Sequence, residues 1–153
     1  MYKLTGGAVS HQWALLPLRL VVGYGFVAHG MAKWNRGPEK FAKVLALIGV
    51  PAPDITARAV TGVELLGGLA IMVGALVLLA SIPLIASMVV AMFTIHVRYG
   101  FSAVNTIGLT ATGPVLGPPG YEINLLYIGA LLALALTGPG ALSVDGWLRS
   151  RRK

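Results

Sequence analysis

Six side chains carry the chemistry of an otherwise apolar sequence: Arg19, His29, Lys33, Glu64, His96 and Glu122. Glu64 is the most exceptional. It lies in TGVELLGG (61–68), and the next charged residue downstream is Arg98. An ionisable side chain held at membrane depth is costly, and is a functional candidate for that reason. A carboxylate there either carries protons and orients a ligand, or pins helix packing. His29 and Lys33 can donate hydrogen bonds to a ligand. His29 and His96 are enough for bis-histidine ligation of a b-type haem. No supporting pattern accompanies them, and ordinary interfacial positions explain both. No His/Asp/Glu cluster has zinc-ligand spacing, so no metal site is expected. Glu122 follows GPPGY, where a carboxylate at a helix start interacts well with the helix dipole. Arg19 either joins a site or snorkels to the nearer interface.

The elements that must position these groups follow from composition. Of the 153 residues, 56% are hydrophobic and 11% charged. Soluble domains carry roughly a quarter charged residues, so a small polytopic membrane protein of one domain (1–153) is indicated. The net charge of +7 belongs to Lys and Arg at the ends of apolar segments. There they anchor spans and meet anionic lipid; no basic face with interleaved aromatics points to nucleic acid. The absence of cysteine excludes disulfides, thiolate chemistry, Cys-ligated clusters and covalent c-type haem.

Four helices are expected, at about 14–33, 57–75, 79–98 and 121–138, forming an all-α transmembrane bundle. Pro17 sits near the start of the first, where a missing N–H costs least. Arg19 interrupts any signal-peptide core, so this helix reads as retained. Apolar residues 41, 44, 45 and 48, with Lys40 and Lys43 near the other face, predict a short interfacial helix between helices 1 and 2. Pro51 and Pro53 end it, and Asp54 or Thr56 caps the next. Residues 65–95 are uncharged. As one helix they would be about 46 Å long against a core of about 30 Å, so they must fold back, between Gly74 and Ser81. Residues 99–120 are neutral and rich in Gly, Pro and Thr, which fits a loop over one mouth of the bundle or a re-entrant segment. A basic tail, 147–153, ends the chain as a lipid-surface anchor.

Four spans place both termini on one side, here side A. On side B helices 1 and 3 end and helices 2 and 4 begin. The cation count decides nothing between the sides, but the compact RSRRK favours cytoplasmic termini. His29, Lys33, Glu64, His96, Glu122 and Asn124 all fall in the side B half. At about 1.5 Å per residue, Glu64 lies roughly 10 Å and His29 roughly 6 Å below the side B surface, close enough to meet directly or through water. Arg19 lies about 8 Å from side A. Gly67 and Gly68 turn Glu64 into the bundle. Arg19, Gly23, Phe26, Gly30 and Lys33 share a stripe on helix 1, with His29 beside it.

LRLVVGYGFVAHGMAKW (18–34), the run from Phe41 to Pro53, VELLGGLAIMVG (63–74), GYEINLLY (120–127) and GPGALSVD (138–145) resemble, in that order, the DoxX family of small four-helix membrane proteins. The resemblance implies a bacterial or archaeal multi-pass protein of the cell membrane. The family includes subunits assigned to thiosulfate:quinone oxidoreductase and members linked to thiol and oxidant defence. One departure is the long neutral 99–120 segment. On this reading the chain is a quinone-linked subunit that holds a quinone, and no covalent cofactor, between the helices of the side B half. Glu64 would handle protons, with His29, Lys33, His96, Glu122 and Arg19 as ligand-side groups, and a protein partner would supply the redox centre. The alternative is a non-enzymatic scaffold or lipid-binding protein that docks a soluble enzyme.

Overall fold

Helix α1 runs from Ala8 to Arg36, α2 from Pro38 to Leu47, α3 from Pro53 to Val73 and α4 from Val77 to Ala91. The computed structural model describes residues 8–151. Beyond α4 the chain keeps turning through a π-helical stretch, Met92–His96, and a 3₁₀ turn, Val97–Tyr99. A β-hairpin follows, β1 Thr106–Thr110 and β2 Gly113–Leu116, and then α5 Glu122–Thr137 and α6 Val144–Ser150. Three stretches are long and apolar enough to cross a membrane: His11–Arg36, Pro53–Val73 and Val77–Tyr99. The 16-residue α5 is apolar but shorter. Its length is about 24 Å against a core of about 30 Å.

The structure corrects several expectations. Helix α1 begins earlier than residue 14, which places Pro17 inside it. Proline inside a membrane helix is tolerated because neighbouring groups satisfy the freed carbonyl. Helix α3 also starts early. Pro53, with its fixed φ, occupies the first turn, and Ala52 at φ 46° stands at the N-cap position with no side-chain bond. Neither Asp54 nor Thr56 caps the helix; the Thr56 hydroxyl donates instead to the Pro51 carbonyl at 3.0 Å. On α2 the buried residues are Ala42 and Leu45, packed with Ala57 of α3, while Val44 faces outward. The neutral segment, expected as a loop or a re-entrant segment, contains the hairpin, so the described chain is not purely α. Residues 147–150 of the expected tail belong to α6; Arg152 and Lys153 lie outside the described residues, as does Lys3.

The helices meet along stripes that the sequence spacing sets. On α3 the buried residues are Ala57, Thr61, Glu64, Gly68 and Ile71, alternately four and three apart, which keeps one face inward. Opposite them on α1 lie Arg19, Gly23, Phe26 and Gly30. At the crossing no side chain intervenes. A Cβ on Gly68 would fall 2.8 Å from the Gly23 carbonyl oxygen and 2.9 Å from the Val27 nitrogen. Gly67, one residue away, packs instead against Leu84 of α4. Phe26, Ile71, Leu84, Leu131 and Leu134 then fill a core shared by α1, α3, α4 and α5.

Side A is closed by a clamp. Arg19 is fully buried; its Nε donates to the Met72 carbonyl at 3.0 Å and its Nη2 to Leu142 at 2.9 Å, while Nη1 donates to Pro139. Arginine therefore does not snorkel here. Its fork ties α1 to the end of α3 and to the turn after α5. Asp145 of α6 accepts from the Leu76 and Val77 amides at 2.9 and 3.2 Å, capping α4 at a turn where Leu76 is left-handed (φ 50°). Gly74, which ends α3 at φ 68°, has no space for a side chain beside Arg19 and Ser143.

The crossing yields a direct test. Gly68→Val should push α1 and α3 apart and destabilise the protein by about 1–3 kcal/mol, as overpacking does. Gly62→Ala, whose added Cβ meets nothing within 4 Å, should leave it unchanged or slightly more stable. Denaturant unfolding in detergent micelles, followed by circular dichroism, reads the difference.

Candidate functional site

On side B the buried carboxylate of Glu64 is paired with Lys33 of α1. Glu64 is about 3% exposed and Lys33 22%, so the pair spans the boundary between the packed interior and the surface. Two features bring them together. Gly30 lets the last turns of α1 lie against Leu65 of α3. The Lys33 side chain leans toward the helix N-terminus, and so down into the membrane, as helical side chains do. Its ammonium also lies 5.0 Å from the centre of the Phe41 ring of α2. Phe41 thus covers the cation with an aromatic face, a contact worth about 0.5–2 kcal/mol depending on desolvation.

His29 is one turn before Lys33 on α1 and does not reach Glu64. It lies on the outer surface of α1, with its ring 6.5 Å from that of Tyr127 on α5, edge to face. Tyr127 also packs edge-on against Phe26 at 5.1 Å, and its hydroxyl rests against Gly25, where any side chain would collide with it. Among the described residues no hydrogen bond engages the His29 ring or the Tyr127 hydroxyl. Tyr127 at the α1/α5 boundary, His29 and, one turn on, Lys33 thus form a polar track along α1, the last of them paired with the buried Glu64. Asn124 is three residues before Tyr127 on the same face of α5. It is buried, donates to the Met88 carbonyl at 3.3 Å, and leaves its Oδ1 without a partner.

The other expected residues serve elsewhere. The His96 Nδ1 is 2.9 Å from the Pro119 carbonyl, an approach set by the wider π-helical turn that ends at His96. Glu122 accepts from the Ala103 amide at 2.8 Å and holds the root of the hairpin. Arg19 belongs to the side A clamp, with all three guanidinium nitrogens engaged by carbonyls. Among the described residues no group of three or more His, Asp or Glu side chains comes together to hold a metal. Tyr127 was the residue that sequence reasoning missed. Its signal was faint: an aromatic mid-helix, one turn after a buried asparagine, facing a glycine of α1.

The family model described as DoxX matches residues 14–97, more than half of the chain. The chain belongs to the DoxX family. The match takes in α1 to the end of the π-helical stretch, and with them Arg19, His29, Lys33, Glu64 and His96. The hairpin, Asn124 and Tyr127 lie outside it. This DoxX protein is 28% identical over 149 residues to the uncharacterized membrane protein Rv3486 of Mycobacterium tuberculosis, covering 90% of this chain and 83% of that one. No solved structure matches it.

The pair's two members should respond unequally to mutation. Lys33→Met strands a buried carboxylate and should cost about 3 kcal/mol. Glu64→Gln should cost less, because Lys33 keeps Phe41 and can reach the surface. The double variant should recover part of the Lys33→Met loss. A double-mutant cycle on unfolding midpoints in micelles measures the coupling; equal single losses that simply add would contradict a buried, coupled pair.

Proposed function

We propose that this DoxX protein is the membrane subunit of a quinone-linked redox system in the cell membrane, with α5 as a fourth crossing and both termini cytoplasmic. Two observations support the fourth crossing. The start of α5 is bonded to the segment after α4, where the Glu122 amide meets the Phe101 carbonyl at 2.9 Å. The turn after its end reaches the first part of α1, where the Ala141 amide meets the Gln12 carbonyl at 3.0 Å. The compact basic end of the chain supports the orientation.

The observation that carries the redox reading is the polar track from Tyr127 and His29 to the Lys33–Glu64 pair. A quinone supplies, when bound, a two-electron, two-proton acceptor whose carbonyls require hydrogen-bond donors. The donor set fits it. The His29 ring and Tyr127 hydroxyl are free to donate at the lipid-facing boundary of α1 and α5. The Lys33 ammonium lies one turn further toward side B. Glu64, buried yet paired with a partly exposed lysine, can pass a proton between the interior and the side B surface. Electrons come from a partner protein, because the chain has no cysteine for a cluster or a covalent haem.

Glu64→Gln tests the proton role. In a complex reconstituted with its electron-donating partner in liposomes, quinone reduction should fall at least about a hundredfold, the low end of what a positioned acid–base group contributes. Turnover unchanged from the parent would leave Glu64 a structural pin and favour the scaffold reading, in which a soluble enzyme docks on a catalytically silent membrane protein.

A further inference from the structure

We propose that the 106–116 hairpin lies in the lipid interface of its own membrane, with the face bearing Leu109, Pro114 and Leu116 turned toward the acyl chains. The hairpin packs on nothing within the described chain, yet its surface is apolar. Ile107 is 64% exposed, Leu109 82% and Leu116 62%, with Phe101 and Val104 at 56% and 70% on the approach. The segment 99–120 carries no charge to specify a docking partner or to hold the ribbon in water.

The register gives the ribbon two unlike faces. Leu109 pairs with Pro114 and Gly108 with Val115, and a bulge at Ile107 sets Thr106 opposite Leu116. Directly paired residues share a face and neighbours alternate. One face therefore presents Leu109, Pro114 and Leu116 with Thr106 at its root, and the other Gly108, Thr110, Gly113 and Val115. An isolated two-stranded hairpin is marginal in water, and needs a surface against its apolar side.

Position identifies that surface as lipid. The hairpin is rooted where α4 ends and α5 begins, by Gly120 N to Ser102 O at 2.9 Å, Tyr121 N to Gly100 O at 3.1 Å and the Glu122–Ala103 bond. At the root Phe101 and Tyr121 pack edge to face at 5.5 Å, beside Tyr99: aromatic rings of the type that settle at headgroup level. The outer residues of the helix below, Val90, Phe93 and Val97, are apolar and exposed and continue into Phe101 and Val104. The ribbon thus extends the lipid-facing surface. Its two free edges carry unpaired backbone groups that hydrocarbon would not satisfy, which fixes its depth at the hydrated interface rather than in the core. Arg98, Arg58 and Arg36 on the same side attract the anionic headgroups among which it would rest.

The chain has no cysteine, so a single introduced thiol carries one probe. Leu109→Cys and Gly108→Cys sit side by side on opposite faces, and the Gly108 position has open space for a side chain. Leu116→Cys is a second variant on the Leu109 face. Each is labelled with bimane in vesicles of phosphatidylcholine and phosphatidylglycerol. Spin-labelled lipid bearing its nitroxide near the headgroup should quench bimane at 109 and 116 at least about twofold more than at 108, as expected for an interfacial amphipathic element, and iodide should show the reverse order. Equal iodide access on both faces would overturn the proposal in favour of a water-exposed ribbon. Disulfide-linked dimers of the unlabelled Leu109→Cys protein would assign the face to a second copy. Shielding of position 109 from both quenchers would assign it to a protein contact. Either result contradicts a lipid contact.

Discussion

A charge buried in a membrane protein has no water to fall back on, and this structure is organised around meeting that demand twice. At side A the demand is made by Arg19, whose fork collects carbonyls from the end of α3 and the turn after α5. At side B it is made by Glu64, which is met by Lys33. Both solutions join α1 to α3. Between them Gly23 and Gly68 let the two backbones touch, so a charge contact stands at each end of a glycine crossing. The packing of α4 and α5 follows from that unit. Leu84 of α4 rests on Gly67, the neighbour of the crossing glycine, and Tyr127 of α5 rests on Gly25, so each later helix is seated against a glycine of the first pair.

Much of this was legible in the sequence, and the failures are informative. The paired glycines after Glu64 correctly turned the carboxylate inward, and the stripe Arg19, Gly23, Phe26, Gly30, Lys33 is the face that α1 turns toward α3. Depth alone put His29 within reach of Glu64, but the face decides the partner. His29 matched Glu64 in depth but pointed outward. Lys33 lay nearer the surface, and its long side chain, leaning toward the helix N-terminus, closed the gap. For Arg19 that same lean points toward side A; what the sequence did not reveal was that the carbonyls of Pro139 and Leu142 would be there to receive it. Those carbonyls depend on a turn around left-handed Leu142, a long-range fact that no local pattern carries. The hairpin was hidden for a different reason. Its residues are neutral and short of a span's apolarity, so helix-length reasoning passed over TIGLT and GPVL, and the Ala111-Thr112 pair between them carries none of the residues that usually mark a hairpin turn. The π-helical stretch before His96 had no sequence signal at all.

The functional account rests on the asymmetry between the two charge sites. Arg19 is sealed: every nitrogen is engaged and the guanidinium does not reach the surface, as suits a purely structural role. The Lys33–Glu64 pair is graded, with one member buried and the other partly exposed, and it is followed along α1 by His29 and by Tyr127 of α5, which make no hydrogen bond among the described residues. A bundle that needed only stability would gain nothing from that arrangement, and replacing a buried ion pair with apolar packing is often neutral or better. On the proposed reading, the side B pair is the place where structure and chemistry are joined.

Quinone occupancy tests this most directly. The protein would be extracted from its own membranes with the surrounding lipid in polymer-bounded discs, and quinone and phospholipid would be quantified by mass spectrometry against discs of the same membrane lacking it. The account predicts about one quinone per protein chain above the bulk ratio, lost when His29 and Tyr127 are both replaced by apolar residues. A quinone-to-lipid ratio equal to that of the bulk membrane, in the parent and the double variant alike, would contradict it.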